Sequence, residues 1–432
     1  MKVIIVGGGL CGLYLAYLLK NINIDFEIHE KSSRPGGRIK SINAFGKILE
    51  CGGHLIKPYH LNIISLLAKL KLNTSIIDGT QLFSLIDQND QNIFNALLQK
   101  IKLSYERDKV VNISAINYIN KILTEIEFNI FKSFLLKETD LENEISIFMK
   151  YMFYDLKIQQ QNKYITIIGG LQMLTDKLAF LVQEKLYLNS PVTAITHLPL
   201  TNAYIVEANG RLINADYLVI ATDASIKMMR LSIPKEINLS IQNVESKPAI
   251  RLYTLHANKI KFNTKLNGNL IQTQSSITNI EKVDKCILRA LYIPNIPNQN
   301  NQTDLFYNLL IKKDKSISAE EIKKILHNLL EKIIGQQIPE IVDYIVCKWQ
   351  YGAHYNTKQI KTNFWNKYNL ILAGEWVHPY HNTLEGSIMS AIDTFNIITK
   401  DLFKDKLKHD TDGVSSIEAN RTKYIDYPVK TY

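Results

Sequence analysis

The opening of the chain leaves it few folds. Lys2-Val-Ile-Ile-Val6 is an apolar run suited to a strand buried on both faces of a parallel sheet. Gly7, Gly9 and Gly12 follow in G-x-G-x-x-G spacing, and Leu10 to Leu19 reads as a helix. In such a turn the first glycine makes the bend, the second lets backbone approach a pyrophosphate, and the third lets helix pack on strand. The helix N-terminus then offers N–H groups and a positive dipole end to phosphates. Ile24, Phe26 and Ile28 alternate with Asp25, Glu27 and His29 as a second strand. Glu30 ends it, about 20 residues past the first glycine, placed to accept hydrogen bonds from ribose hydroxyls. Strand, glycine turn, helix, strand and acid in this order predict a Rossmann-type α/β unit that binds a dinucleotide.

At 432 residues, 46% apolar and 21% charged, the chain has ample core for two interleaved domains. No run of about eighteen apolar residues suggests a membrane span. With a strand beginning at Lys2, no cleavable leader is expected. Cys11, Cys51, Cys286 and Cys347 show neither metal nor disulfide spacing, which points to a reducing cytoplasm. The net charge of +10 comes from dispersed lysines, with no basic block interleaved with aromatics, so no nucleic-acid partner is expected. Oligomeric state is not legible in the sequence.

Residues 61–159 read as mostly helical. Nucleotide-domain character returns near Tyr164: Gly169-Gly170 precedes the stripe Leu171, Leu174, Leu178 and Leu181, and Asn209-Gly210 between apolar runs signals a hairpin. Two strand-like runs, Ala249–His256 and Cys286–Ile293, lie in a further insertion, with a Pro/Asn/Gln-rich loop over 294–302. Ser318-x-x-Glu321 is a capping box and Gly335 a helix stop. The expected division is a nucleotide-binding domain from 1–60, 160–240 and 346–402, an α+β substrate domain from 61–159 and 241–345, and a mobile polar tail over 403–432.

Arg34-Pro-Gly-Gly-Arg38 comes right after Glu30. Its glycines let backbone amides approach a second phosphate, and Arg38 can offer a forked donor set. These motifs together resemble the flavin-containing amine oxidoreductase family, which includes monoamine, polyamine and L-amino-acid oxidases, protoporphyrinogen oxidase and phytoene desaturase. Glu50-Cys-Gly-Gly-His54, Ile168-Gly-Gly-Leu171, Leu372-Ala-Gly-Glu375 and Leu384-Glu-Gly-Ser-Ile388 extend the resemblance in the family's order to about residue 398.

The resemblance implies noncovalent FAD, because no cysteine lies between Lys348 and Phe364, where relatives with covalent flavin carry one. It implies Gly7, Gly9, Leu10 and Gly12 at the pyrophosphate and Glu30 at the ribose. Lys31 and Arg38 would lie along the phosphates, and Val192 would pair its backbone with adenine. Gly53, His54 and Leu55 would meet the flavin ring, with Gly374 beside Glu375, which would bind near the ribityl chain or pyrophosphate. Thr383, Leu384 and Glu385 would open a helix towards the flavin N1/O2 edge. Trp349 would bring an aromatic face to the flavin, its plain alternative being a core residue. His54 would act as a proton relay or simply pack.

Two positions depart from the amine-oxidase pattern. Thr383 stands where such enzymes often carry a cage aromatic, and Arg251 stands where a lysine near flavin N5 is common. Arginine cannot serve as a base at ordinary pH, so Arg251 would position an anion or a water. His354 and His378-Pro-Tyr-His381 have no acidic or cysteine neighbours in metal-ligand spacing, so no metal is expected. The expected activity is FAD-dependent oxidation of an amine or related small molecule, with O2 as acceptor. The alternatives are a desaturase or isomerase on the same fold, or a flavin-binding scaffold without turnover.

Overall fold

The computed structural model describes residues 1–78, 88–133, 141–156, 163–261, 270–272, 277–292, 317–356, 358, 360–380 and 382–409. At its centre lies a six-stranded sheet in the order Asn363–Phe364, Leu370–Leu372, Tyr217–Ile220, Lys2–Val6, Asp25–His29, Leu186–Tyr187. The first strand is the axis: Val3 pairs with Phe26 on one side and Tyr217 on the other, both in parallel. Val3, Ile4 and Ile5 are wholly buried because helices cover one face and a second sheet the other. This is why the run is apolar at every position instead of alternating. The sheet thus draws on strands from residues 2–29, 186–187, 217–220 and 363–372.

The first helix, Leu10–Asn21, buries Leu13, Leu15, Ala16 and Leu19 against this sheet. It leaves the strand with almost no clearance: a Cβ on Gly12 would run into the Gly7 carbonyl oxygen. Behind it, Gln172–Leu181 and the long C-terminal helix Leu384–His409 pack on the same core. That last helix carries the chain beyond residue 403, where a mobile tail was expected; 410–432 lie outside the described residues.

A five-stranded sheet forms the second layer over the site. Its two longest strands, Val244–His256 and Ile341–Asn356, run antiparallel, with Ile287–Tyr292 on the far side of the first. The first begins earlier than Ala249, the start expected from sequence. Pro248, which has no N–H for the ladder, is absorbed in a register shift between Lys247 and Ala249. The helix Ala319–Ile334 covers one face of this sheet, burying Leu326 and Leu330 among Ile250, Leu252 and Leu288. It starts with the Ser318/Glu321 capping box and stops at Gly335, whose φ is +72°. Arg251 and Tyr253 alternate with Ile250 and Leu252 and therefore face the nucleotide-binding side.

The region after residue 60 is largely helical but contains an unforeseen strand. Thr74–Asp78 pairs antiparallel with Lys163–Ile167. The run is too short for its period to show, and its partner lies far along the chain. The Asn209-Gly210 hairpin turn forms, with positive φ at both residues. The loop read over 294–302, with Ile293 at the end of the strand before it, lies outside the described residues.

One expectation is corrected. Cys51 and Cys347, 296 residues apart in sequence, are joined as a disulfide with Cα atoms 5.4 Å apart. Their spacing carried no sign of this, because only the packing of the Glu50–Leu55 segment on the five-stranded sheet brings them together. Cysteine usage therefore gives no support for a reducing compartment. No described helix is long and apolar enough to cross a membrane.

The contact between Gly12 and Gly7 makes a prediction. Gly12→Ala forces helix and strand apart and should cost about 1–3 kcal/mol, read as a lower midpoint in thermal unfolding.

Candidate active site

The glycine turn positions the first part of the site. Gly7 takes a φ of +112°, and a Cβ there would lie 2.6 Å from the Ala221 carbonyl oxygen. Gly9 is different: it sits at the helix N-cap, and a Cβ added to it meets nothing within 4 Å. Its open side faces a cavity of about 520 Å³, in the size range of small-molecule sites. Glu30 stands at the rim, one carboxylate oxygen accepting from Gly8 N (2.8 Å) and the other from Ser32 N and Oγ (2.8 and 2.5 Å). An ionised carboxylate has about four acceptor sites, so capacity remains for a ribose. Lys31 also lines the cavity and donates to Ser225 Oγ at 3.3 Å.

The second glycine turn lies on the first. Gly36 N donates to Gly8 O at 2.8 Å, and Gly36 bridges Gly9 in parallel. Arg34 holds this turn from within, donating to Pro35 O and Ile39 O (2.9 Å each) and Gly37 O (2.5 Å). Arg38 points inward instead and forms an ion pair with Glu375, the arginine part-buried and the glutamate buried. Burial lowers the Arg38 pKa to about 10, against the pull of Asp223, so the guanidinium stays charged at neutral pH. Glu375 also accepts from Asn382 N and faces His354 Nδ1 at 2.9 Å. Arg38 Nη1 approaches the same ring nitrogen at 3.2 Å, and Ala224 N lies 3.5 Å from His354 Nε2.

The third part is the wall Glu50–Leu55. Each of its first three carbonyls is held by a side chain from the five-stranded sheet. Tyr253 Oη and Arg251 donate to Glu50 O at 2.7 and 2.9 Å, Trp349 Nε1 to Cys51 O at 2.7 Å, and Arg251 to Gly52 O. Arg251 also approaches His54 Nδ1 at 3.4 Å. Gly52 leaves no room for a side chain, since its Cβ would strike the Arg38 carbonyl. The Glu50 carboxylate turns away from the cavity to accept from Leu171 N (2.7 Å) and Ser41 Oγ (2.8 Å), with its pKa raised by burial. Gly169-Gly170-Leu171 thus supports the wall from behind, with φ of +94° at both glycines.

The C-terminal helix completes the cavity. Thr383 Oγ1 accepts from Gly386 N at 2.9 Å and donates to Tyr380 O at 2.6 Å, capping the helix N-terminus where Thr383, Leu384 and Ser387 line the cavity. Glu385 leaves this surface and caps the helix Leu61–Lys69, accepting from Asn62 N and Ile63 N at 3.1 and 3.0 Å. Gly374, with φ +112°, turns the chain between strand and helix.

Of the residues singled out in the sequence, Gly7, Gly9, Leu10, Glu30, Lys31, Arg38, Gly53, His54, Leu55, Arg251, Trp349, Gly374, Glu375, Thr383 and Leu384 come together around this one cavity. Gly12 serves packing beneath it. Val192 opens a strand beside Ala208 with its side chain buried, outside the cavity lining. His354, Asp223 and Asn382 were not singled out for these roles, because no local pattern marks a side chain whose partner lies in another segment, and Arg34 was read only as the start of the second glycine motif. His381 lies outside the described residues, and no metal-holding group of His, Cys, Asp and Glu occurs among the described residues.

Comparison with known proteins places this geometry. The family model described as flavin containing amine oxidoreductase matches residues 127–394, and the one for an NAD(P)-binding Rossmann-like domain matches residues 5–70. The chain belongs to the flavin-containing amine oxidoreductase family. Among curated relatives, lysine-specific histone demethylase 1 homolog 2 of Arabidopsis thaliana is 33% identical over 114 residues, 23% of this chain and 15% of that protein. Coproporphyrinogen III oxidase of Staphylococcus aureus is 48% identical over 53 residues, 12% of this chain and 11% of that protein. The matches therefore span only a small part of either relative.

Solved structures agree over far more of the chain. Putrescine oxidase bound to putrescine superposes with a TM-score of 0.69 at 15% identity, covering 93% of this chain and 99% of the other. Cyclohexylamine oxidase from Brevibacterium oxydans IH-35A gives 0.69 at 14%, with the same coverage. At these identities the likeness is one of fold.

Cys11 lines the cavity at the first turn of the helix, and burial pushes its thiol pKa up to about 12. The reactive thiolate is therefore scarce at pH 8. Iodoacetamide on the native protein at pH 8 should leave Cys11 unmodified in peptide mass spectra, while denaturation makes Cys11 alkylate fully.

Proposed function

We propose that the chain is an FAD-dependent oxidase of an amine or related small molecule, holding FAD noncovalently and using O2 as acceptor. The observation that carries this reading is the continuity of one cavity from Gly9 to the five-stranded sheet, past Arg38 and the Glu50–Leu55 wall. A cradle that only a hydrogen side chain leaves open, beside a fixed cation, suits a pyrophosphate. On this reading Gly7, Gly9 and Leu10 hold the pyrophosphate with Lys31 and Arg38, and Glu30 takes the ribose. Residues 1–60, 160–240 and 346–402 form the cofactor domain, and 61–159 with 241–345 the substrate domain.

FAD held by Gly7, Gly9, Glu30, Lys31 and Arg38 would supply the two-electron chemistry, taking hydride equivalents from a substrate C–H bond and passing the electrons to O2. The protein supplies position and charge. The Thr383-capped helix aims its positive dipole end into the cavity, where it stabilises negative charge. Gly53, His54 and Leu55 form one wall and the Trp349 face another. Arg251 stays cationic and spends donors on the wall carbonyls, so its part is to position and not to exchange a proton.

The state of the cysteines that line the cavity supports the noncovalent reading. Cys51 is bonded to Cys347, and Cys11 is held as a thiol.

The purified protein is expected to be yellow and to release FAD on acidification. A colourless protein that cannot be reconstituted with FAD defeats the proposal. Anaerobic mixing with amines, polyamines and amino acids should bleach the flavin with at least one member; no bleaching across the panel removes the amine reading. Gly9→Ala should keep its stability within about 1 kcal/mol yet lose flavin retention, measured as the flavin-to-protein absorbance ratio.

A further inference from the structure

The bond between Cys51 and Cys347 lies within the machinery just described, although no step of the proposed reaction uses it. Cys51 belongs to the Glu50–Leu55 wall and lines the cavity. Cys347 stands on the strand Ile341–Asn356 as the cross-strand partner of Arg251. Both cysteines are buried, with 2% of Cys51 and 8% of Cys347 exposed. Cys51 lines the cavity and Cys347 does not, so the approach to this bond is from the cavity at Cys51.

The surroundings suit redox exchange. Arg251 donates to the carbonyls of Glu50 and Gly52, the residues on either side of Cys51. A fixed guanidinium next to a cysteine pair favours thiolate, the form that attacks and leaves in disulfide exchange. The hydrogen bonds to the wall from Tyr253, Arg251 and Trp349 do not depend on the disulfide. Opening it would loosen the wall without releasing it. Beyond Cys51 the wall continues as Gly52-Gly53, which supply little stiffness of their own.

We propose that Cys51 and Cys347 form a redox-active dithiol/disulfide couple, reached through the cavity by a small dithiol reductant, whose state sets how tightly the Glu50–Leu55 wall holds the cavity's occupant. One thiolate of the reductant attacks a sulfur of the pair, breaking the Sγ–Sγ bond and forming a mixed disulfide. Its second thiolate then displaces the protein sulfur and closes the reductant's own disulfide. Two electrons and two protons end on Cys51 and Cys347, and the dithiol is oxidised. Linkage makes the coupling reciprocal. If the disulfide form binds the occupant more tightly, the occupant shifts the couple towards the disulfide by the same factor. Naming FAD as the occupant rests on the proposed function; the couple itself does not.

The test uses the full chain in dithiothreitol redox buffers. Cysteines are counted by alkylation under denaturing conditions and mass spectrometry, and hydrogen exchange is followed in the peptide covering residues 50–55. As purified, Cys11 and Cys286 should alkylate and Cys51 and Cys347 should not; after reduction all four should. Reduction should speed exchange in the wall and weaken FAD binding about tenfold, with Cys347→Ser matching the reduced protein. FAD-loaded protein should need a correspondingly more reducing buffer than FAD-free protein. Free Cys51 and Cys347 in the protein as purified, or reduction that leaves wall exchange unchanged, overturns the proposal. If FAD binds in neither redox state, the cofactor reading fails, and wall exchange alone decides the couple. If Cys347→Ser does not fold, chemical reduction of the native chain decides the same question.

Discussion

The ion pair between Arg38 and Glu375 is the joint on which the site depends. Arg38 leaves the second glycine turn near the N-terminus, and Glu375 follows the strand Leu370–Leu372 near the C-terminus. Burial penalises the Arg38 cation, and a charge so placed persists only when paired and hydrogen-bonded. His354 and Asn382 complete the arrangement around Glu375. The same geometry brings the Arg38 carbonyl against Gly52 and Gly53, so the wall of the cavity is measured from this joint.

The second layer acts mainly through backbone. Arg251, Tyr253 and Trp349 come from two antiparallel neighbours of one sheet and converge on three consecutive carbonyls. Strand alternation explains the convergence: Ile250 and Leu252 face the covering helix, which turns Arg251 and Tyr253 to the wall. Side chains that look catalytic in sequence can thus shape a site by holding the chain that forms it. The departure from lysine at Arg251 takes on meaning here, since its Nη1 reaches the carbonyls on both sides of Cys51 while Nη2 lies towards His54.

Local chemistry made much of the fold legible. The apolar run Lys2–Val6, the glycine spacing, the hairpin turn at Asn209-Gly210 and the capping box at Ser318 each depend on residues within a few positions of one another. The strand Thr74–Asp78, the bulge at Pro248 and the disulfide did not show, because each depends on a partner far along the chain.

By itself, then, the sequence determined the dinucleotide turn, the acid at Glu30 and the family to which the chain belongs. Backbone conformation at glycines and the burial of continuous apolar strands are short-range demands, written in neighbouring residues. Tertiary structure alone decided that His354 serves Glu375, that Glu50 braces Leu171 and that Arg251 grips the wall. It also decided that Cys51 meets Cys347. These contacts join residues on separate strands and turns, and their chemistry exists only once the sheets have brought them within hydrogen-bonding or bonding distance.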